Sequence, residues 1–179
     1  MVRVSGEARV IILEGTSSSG KTTLARAIQS DLGDVYLHCQ IDAFWNMTPP
    51  FTPASSANFP KMRLAMAKSV RALVETGHNV IVDITCNGLD AHLEFLQALD
   101  GIDVLSVKVF CPLSELERRE VARGDRRAGL AKSQVALLEE PMPFDMEIDT
   151  SVSLPSECVE KIALRSADKF RGQPSSSGL

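Results

Sequence analysis

Residues 15–22 read Gly15-Thr16-Ser17-Ser18-Ser19-Gly20-Lys21-Thr22 and match the pattern G-x-x-x-x-G-K-[ST]. A short apolar run, Val10-Ile11-Ile12-Leu13, precedes this stretch and predicts a buried strand. The residues that follow carry apolar side chains at helical spacing, which predicts a helix over 22–32. The pattern indicates a phosphate-binding loop only when it lies between a strand and a helix. Because both are predicted here, we interpret the stretch as such a loop.

Each residue type in the loop has its own physical role. Gly15 and Gly20 allow a tight turn and a close approach of the backbone to a phosphate. Lys21 can reach the β- and γ-phosphate oxygens, and the Thr22 hydroxyl can bind Mg²⁺. The predicted nucleotide-binding residues are Gly15, Thr16, Ser17, Ser18, Ser19, Gly20, Lys21, Thr22 and Thr23. The alternative is a turn rich in glycine and serine that carries a lysine by chance.

Length and composition favour one domain over residues 1–170 and a disordered tail over 171–179. The chain has 179 residues and a formal net charge of −4, so nucleic acid is not an expected partner. No apolar run approaches the ~20 residues that span a bilayer, and no membrane partner is expected. The four cysteines are scattered, which is typical of reduced, buried thiols in a cytoplasmic protein. The oligomeric state stays open, and a homo-oligomer is one option.

The rest of the chain alternates between predicted strands and predicted helices. Strands are predicted over 35–39, 79–84, 104–110 and 144–149, and helices over 61–76, 90–99, 112–123, 130–140 and 155–170. The segment 43–60 reads as an irregular loop because four prolines interrupt it. This alternation predicts an α/β fold with a parallel sheet covered by helices on both faces. Ligands of such sheets bind beyond the carboxyl ends of the strands.

Three aspartates, Asp42, Asp83 and Asp149, lie at or just after predicted strand ends. Asp83 closes the apolar run 80–82, so we assign it with Thr22 to a Mg²⁺ site; the alternative is a turn or helix-capping residue. Asp42 stands between the phosphate loop and an aromatic segment. We assign Asp42 as the general base for a substrate hydroxyl, and a turn residue is the alternative.

Several arginines surround two glycines in a segment that reads as a lid over about 118–132. Arg123, Arg126 and Arg127 are predicted to close on the transferred phosphoryl group, since glycine on both sides gives a hinge. Arg118 and Arg119 can instead form simple helical ion pairs with Glu115. Thr150 precedes the last helix and is placed near the nucleotide base.

The aromatic segment after Asp42 is either an acceptor pocket or a plug of the core. For the pocket reading, the predicted acceptor wall consists of Phe44, Trp45, Met62 and Met66.

Two longer stretches resemble the chloramphenicol phosphotransferase family. They are Ala122-Arg123-Gly124-Asp125-Arg126-Arg127-Ala128-Gly129 and Phe144-Asp145-Met146-Glu147-Ile148-Asp149-Thr150, and they accompany the phosphate loop, Ile41-Asp42 and Val82-Asp83. The likeness extends from about residue 9 to about residue 167. It implies an adenylate-kinase-like P-loop fold with a five-stranded parallel sheet. It also implies ATP- and Mg²⁺-dependent phosphorylation of a hydroxyl on a small antibiotic-like molecule.

The resemblance also implies roles for single residues. Asp42 matches the aspartate that activates the acceptor hydroxyl, and Arg123 and Arg126 best match the lid arginines. The segment between Asp42 and Met62 departs from the acceptor-binding segment of the family, so the acceptor stays open. Alternatives are a kinase of another metabolite or of a nucleotide sugar, and a nucleotide-dependent switch with little turnover.

Overall fold

The structure is a computed structural model that describes residues 8–50, 52, 58–123, 129–138 and 141–170. The predicted tail over 171–179 and the middle of the predicted lid, residues 124–128, lie outside the described residues.

Five parallel strands form the sheet, in the order β2-β3-β1-β4-β5. The strands are β1 Arg9–Glu14, β2 Tyr36–Gln40, β3 Asn79–Ile84, β4 Asp103–Phe110 and β5 Met146–Asp149. β1 lies in the middle, where it pairs with β3 on one side and with β4 on the other. Its apolar run is buried on both faces, as expected for a central strand of a parallel sheet. The predicted α/β architecture is confirmed.

Seven helices lie in the described part of the chain. They are α1 Lys21–Asp31, α2 Ile41–Trp45, α3 Asn58–Glu75, α4 Leu89–Gln97, α5 Leu113–Arg123, α6 Leu130–Leu138 and α7 Pro155–Phe170. Side chains of α1 and α7 pack on one face of the sheet, and those of α3 and α4 pack on the other. A smaller cluster around Leu116 and Ala131 joins α5 to α6. The two main layers leave the carboxyl ends of the strands free to carry a site.

Several boundaries differ from the sequence prediction. Ile41–Trp45 is a short helix rather than loop, and α3 begins at Asn58, before the prolyl residue that was expected to block it. Pro60 is tolerated because it lies in the first turn, where its missing N–H would have had no helical partner. α4 begins at Leu89 with Gly88 as its N-cap, one residue before the predicted start at 90.

The cysteines behave as the sequence predicts. All four are free and buried, and burial raises the pKa of the Cys39 thiol to about 11. Among the described helices, none combines the length and the apolar character that crossing a bilayer would require.

Candidate active site

The phosphate loop connects β1 to α1 and has the backbone shape of an anion cradle. Ser18 has φ 63° and Gly20 has φ 96°, both in the left-handed region. Alternation of such residues with ordinary ones turns successive N–H groups toward one point. A Cβ on Gly15 would lie 2.0 Å from the carbonyl oxygen of Val109, so only glycine fits where β1 leaves the sheet beside β4.

The side chains of the loop carry unused polar capacity. The hydroxyl oxygens of Thr16, Ser17, Ser18 and Ser19 are buried, and none has a hydrogen-bond partner among the described residues. Lys21 Nζ donates to the carbonyl oxygens of Gly15 at 3.0 Å and Thr16 at 2.7 Å. Buried hydroxyls without partners are unfavourable in a folded core, and a polyphosphate would supply acceptors for them. The loop therefore fits the phosphate chain that its sequence predicts.

The two residues assigned to Mg²⁺ meet at the start of α1. Thr22 Oγ1 donates to Asp83 Oδ2 at 2.6 Å, which brings a hydroxyl and a carboxylate from distant parts of the chain together. The described residues contain no cluster of three or more His, Cys, Asp or Glu side chains that could hold a metal. Mg²⁺ in kinases is usually held by one or two protein oxygens together with substrate phosphates and water. The pair therefore fits Mg²⁺ and would not suit a metal that needs a full set of protein ligands.

Asp83 is kept ionised by its neighbours. Burial alone would raise the pKa of this carboxyl, but the approach of His38 and the charge of Lys21 outweigh burial, and the pKa lies below its ordinary value. His38 Nε2 lies 3.6 Å from Asp83 Oδ2. The sequence offered no signal for His38, because it has no second ligand at a suitable spacing.

Arg119 binds the phosphate loop and the segment after β5 at the same time. Its Nη1 donates to Thr150 Oγ1 at 3.0 Å and to the Ser18 carbonyl at 3.4 Å, and its Nη2 donates to the Thr150 carbonyl at 3.0 Å. Thr150 Oγ1 in turn donates to the carbonyl oxygen of Ser19 at 2.7 Å. Thr150 thus lies against the loop, and Arg119 fixes it there.

Glu115 holds both neighbouring arginines. It accepts from Arg118 Nε at 2.7 Å and from Arg119 Nε at 2.7 Å, and these two bonds lower the pKa of Glu115 to about 2. The helical ion pairs that the sequence left open are both present. Only Arg119 also reaches the phosphate loop.

Two further contacts to the loop were not foreseen. Ser17 N donates to Gln134 Oε1 of α6 at 2.7 Å, and Thr85 Oγ1 donates to the Gly15 carbonyl at 2.7 Å. Their partners lie 117 and 70 residues away in the chain, so no local pattern could reveal them.

A cleft of about 1000 Å³ opens above the carboxyl ends of the strands, and Lys21 and Asp42 both line it. Asp42 lies in the first turn of α2, directly after β2. Predicted site residues that line the cleft are Ser17, Ser18, Gly20, Lys21, Thr22, Thr23, Asp42, Trp45, Asp83 and Thr150. The phosphate loop and the proposed base therefore line the same cleft.

Aromatic side chains form one wall of this cleft, although not the set that the sequence predicted. Trp45 lines the cleft with Phe59, and their ring centroids are 5.8 Å apart. Met66 is fully buried in the core beneath α3, so its assignment to the acceptor wall is corrected. Phe44 and Met62 are partly buried and pack against the same core cluster, outside the lining of the cleft. The aromatic segment therefore lines the cleft with Trp45 and packs against the core with Phe44.

The lid arginines remain predictions. Arg123 ends α5, and the structure describes its backbone only. Arg126 and Arg127 lie outside the described residues.

The fold, the phosphate loop and the family model that matches this chain together define the class of this protein: it is a P-loop small-molecule kinase, an ATP-dependent phosphotransferase. The family model described as "Chloramphenicol phosphotransferase-like protein" matches residues 8–167. The chain belongs to this family.

Two relatives agree with that class, and solved structures share the fold. The chain is 30% identical to proteins from two strains of Mycobacterium tuberculosis, each named "Putative O-phosphotransferase", over 82% of this chain and 77% of theirs. An APS kinase from M. tuberculosis, solved with AMPPNP and APS, shares the fold with a TM-score of 0.74 at 18% identity, covering 89% of this chain and 97% of that one. The tunicamycin resistance protein of Deinococcus radiodurans shares the fold with a TM-score of 0.69 at 19% identity, covering 88% of this chain and 95% of that one.

Proposed function

We propose that this protein uses Mg²⁺ and ATP to phosphorylate a hydroxyl of a small antibiotic-like molecule, with chloramphenicol as the first candidate acceptor. The observation that carries the proposal is the shared cleft, which Lys21 and Asp42 both line. The family to which the chain belongs supports the choice of acceptor class. Inactivation of the antibiotic would make the protein a resistance factor.

In this proposal, the phosphate loop binds the triphosphate through its N–H groups, its hydroxyls and Lys21. Thr22 and Asp83 would hold Mg²⁺, and the metal would supply charge neutralisation at the β- and γ-phosphates. Two protein oxygens would be enough, because Mg²⁺ sites in kinases commonly use one or two protein ligands.

Asp42 is the proposed general base. It accepts the proton of the acceptor hydroxyl while the acceptor oxygen bonds to the γ-phosphorus. The bond from that phosphorus to the β–γ bridging oxygen breaks, and ADP leaves. A base in this position contributes about 10²–10⁴-fold to the rate. The lid arginines Arg123, Arg126 and Arg127 are proposed to stabilise the charge that spreads over the transferred group.

Trp45 and Phe59 are proposed to bind the body of the acceptor. Asp42 and Trp45 are three residues apart on α2, so their side chains leave the same side of the helix. An acceptor can therefore place its hydroxyl near Asp42 and an apolar group against Trp45.

The test is an ADP-release assay with chloramphenicol, other hydroxylated antibiotics, and hydroxylated metabolites, followed by mass spectrometry of the product. We expect one acceptor to gain a single phosphate. In the Asp42→Asn variant, ATP binding should persist while the rate of transfer falls about 10²–10⁴-fold. Unchanged turnover would remove Asp42 from the mechanism. Transfer to a metabolite alone would favour a metabolic kinase.

A further inference from the structure

A histidine that the proposed mechanism does not use lies beside the metal site. The side chain of His38 is 8% exposed and that of Asp83 is 9% exposed, so the imidazole ring and the carboxylate meet away from solvent. His38 Nε2 is buried and has no hydrogen-bond partner among the described residues. Asp83 Oδ2 lies 3.6 Å from this nitrogen. A buried polar atom aimed at a functional carboxylate calls for a reason.

The register of the sheet brings these residues to one face. In the parallel pair of β2 and β3, His38 lies opposite Ile81 and Gln40 lies opposite Asp83. Side chains two apart on a strand point the same way, so His38 and Gln40 share a face with Asp83. This is the face that packs against α1, which carries Thr22.

Gln40 determines which nitrogen of the ring carries the proton. Gln40 Nε2 lies 3.0 Å from His38 Nδ1. An amide nitrogen only donates, so Nδ1 accepts, and the proton of the neutral ring lies on Nε2. The ring therefore presents an N–H to Asp83.

We propose that His38 is a positioning residue for the metal site: its Nε2–H orients the Asp83 carboxylate, and Gln40 holds the ring in the tautomer that can do so. Asp83 Oδ2 already accepts from Thr22 Oγ1, and a carboxylate oxygen can accept two hydrogen bonds. With Thr22 Oγ1 donating to Oδ2 and the His38 N–H facing the same oxygen from 3.6 Å, the carboxylate is held toward one orientation at the metal or its water. Groups that orient a metal-binding side chain in this way contribute strongly to metal affinity.

The inference rests on the metal role proposed for Asp83, and the experiment separates the two. Binding of Mn²⁺ is measured by electron paramagnetic resonance in the presence of the non-hydrolysable nucleotide AMPPNP, so turnover plays no part. Nucleotide binding without metal is measured in EDTA. The variants are His38→Leu, His38→Gln, Asp83→Asn and, as a control, His78→Leu, since His78 is exposed and remote from the cleft lining.

We expect His38→Leu to weaken Mn²⁺ binding about 10-fold, with nucleotide binding in EDTA unchanged. His38→Gln should restore most of the affinity, because its amide can donate from nearly the same place. His78→Leu should match the unmodified protein.

Two results would overturn the proposal. One is Mn²⁺ affinity that is unchanged in His38→Leu while Asp83→Asn weakens it, and the other is an equal loss in His38→Leu and His38→Gln. If Asp83→Asn leaves Mn²⁺ affinity unchanged, the metal role of Asp83 itself fails. Thermal melting shows whether His38→Leu folds. If His38→Leu does not fold, the Gln40→Leu variant tests the proposal instead. We expect it to weaken Mn²⁺ binding less than about 10-fold, and an unchanged Mn²⁺ affinity in this variant would contradict the proposal.

Discussion

At the scale of single residues, the phosphate loop is shaped by a position where only glycine fits. A Cβ on Gly15 would lie 2.0 Å from the Val109 carbonyl oxygen and 2.7 Å from Ser19 Oγ. The first of these is backbone of a central strand and cannot move aside. Steric exclusion, rather than flexibility, therefore explains this glycine.

Gly15→Ala should lower the free energy of unfolding by about 3 kcal/mol, at the upper end for overpacking. Gly33 is the matched control: its φ is 71°, but a Cβ there would meet nothing within 4 Å. Gly33→Ala should therefore cost only the strain of a left-handed residue, about 1 kcal/mol. Urea denaturation of both variants gives the comparison, and equal losses would mean that the loop relaxes around a methyl group.

Arg119 is the second residue on which the loop depends. Arg119→Met keeps most of the packing but removes three donated hydrogen bonds to Ser18 and Thr150. We expect nucleotide affinity to fall about 10-fold, equivalent to about 1.4 kcal/mol, because the phosphate loop would lose the bonds from Arg119 that hold its shape. Isothermal titration with AMPPNP measures the change. Arg118→Met, whose bonds go to Glu115, is the comparison and should lose much less.

These arginines show where reasoning from the sequence ends. Glu115 is three residues before Arg118 and four before Arg119, so both ion pairs were foreseeable from helical spacing. Which arginine turns toward the phosphate loop depends on how α5 is oriented in the fold, and Leu116 packs in the cluster that joins α5 to α6. The strand, loop and helix around Lys21 were predictable because their signals are local. The contacts of Gln134 and Thr85 were not, because only the folded chain creates them.

At the scale of elements, the region after β2 was the hardest to predict. Ile41–Trp45 has five residues, too few for a helical period to emerge from the sequence. The apolar stripe of α3 gave the opposite difficulty. Periodicity marks Met66 as apolar, but it does not say whether that face meets a core or a ligand. Met66 lies in the core, and the aromatic residues that line the cleft are Trp45 and Phe59.

Asp145 joins three elements at the other end of the sheet. It directly precedes β5. Its carboxylate accepts a hydrogen bond from Ser106 N of β4 at 2.8 Å and another from Lys169 Nζ of α7. Burial would raise the pKa of this carboxyl, but the bonds from Lys169 and Ser106 outweigh it and hold the pKa below its ordinary value. The ionised form is therefore the one that the folded chain favours.

Asp145→Asn should lower the free energy of unfolding at pH 7 by about 1 kcal/mol. Because the folded pKa is lowered, this contribution is complete above the unfolded pKa of about 3.9 and is lost as the pH falls through the folded pKa. Urea denaturation from pH 7 downward should show the two proteins converging in acid. A double-mutant cycle with Lys169→Met should lose its coupling over the same range, and coupling that persists in acid would contradict the ionic origin.

At the scale of the whole molecule, one cleft collects residues from both ends of the chain. Lys21 and Thr22 come from α1, Asp42 and Trp45 from α2, Arg119 from α5 and Thr150 from the segment after β5. The strand order explains this, since β1 lies centrally and the chain places β2 and β3 on one side and β4 and β5 on the other. The phosphate loop lies at the middle of the sheet, after β1, and the aromatic residue Trp45 lies toward the β2 side. The two substrates should therefore have separable sites.

Trp45 makes that separation measurable, because it is the only tryptophan in the chain. We expect the tryptophan emission to change in a saturable way as an acceptor is added. The Lys21→Ala variant should show the same change, although it should lose nucleotide binding. Trp45→Leu should raise KM for the acceptor about 10-fold, equivalent to about 1.4 kcal/mol of lost contact, while KM for ATP changes little. The two constants are read from initial rates of ADP release, with Trp45→Phe as the control that keeps a ring. If Trp45→Leu raises both constants equally, the aromatic wall belongs to the nucleotide rather than to the acceptor, and the division of the cleft proposed above is wrong.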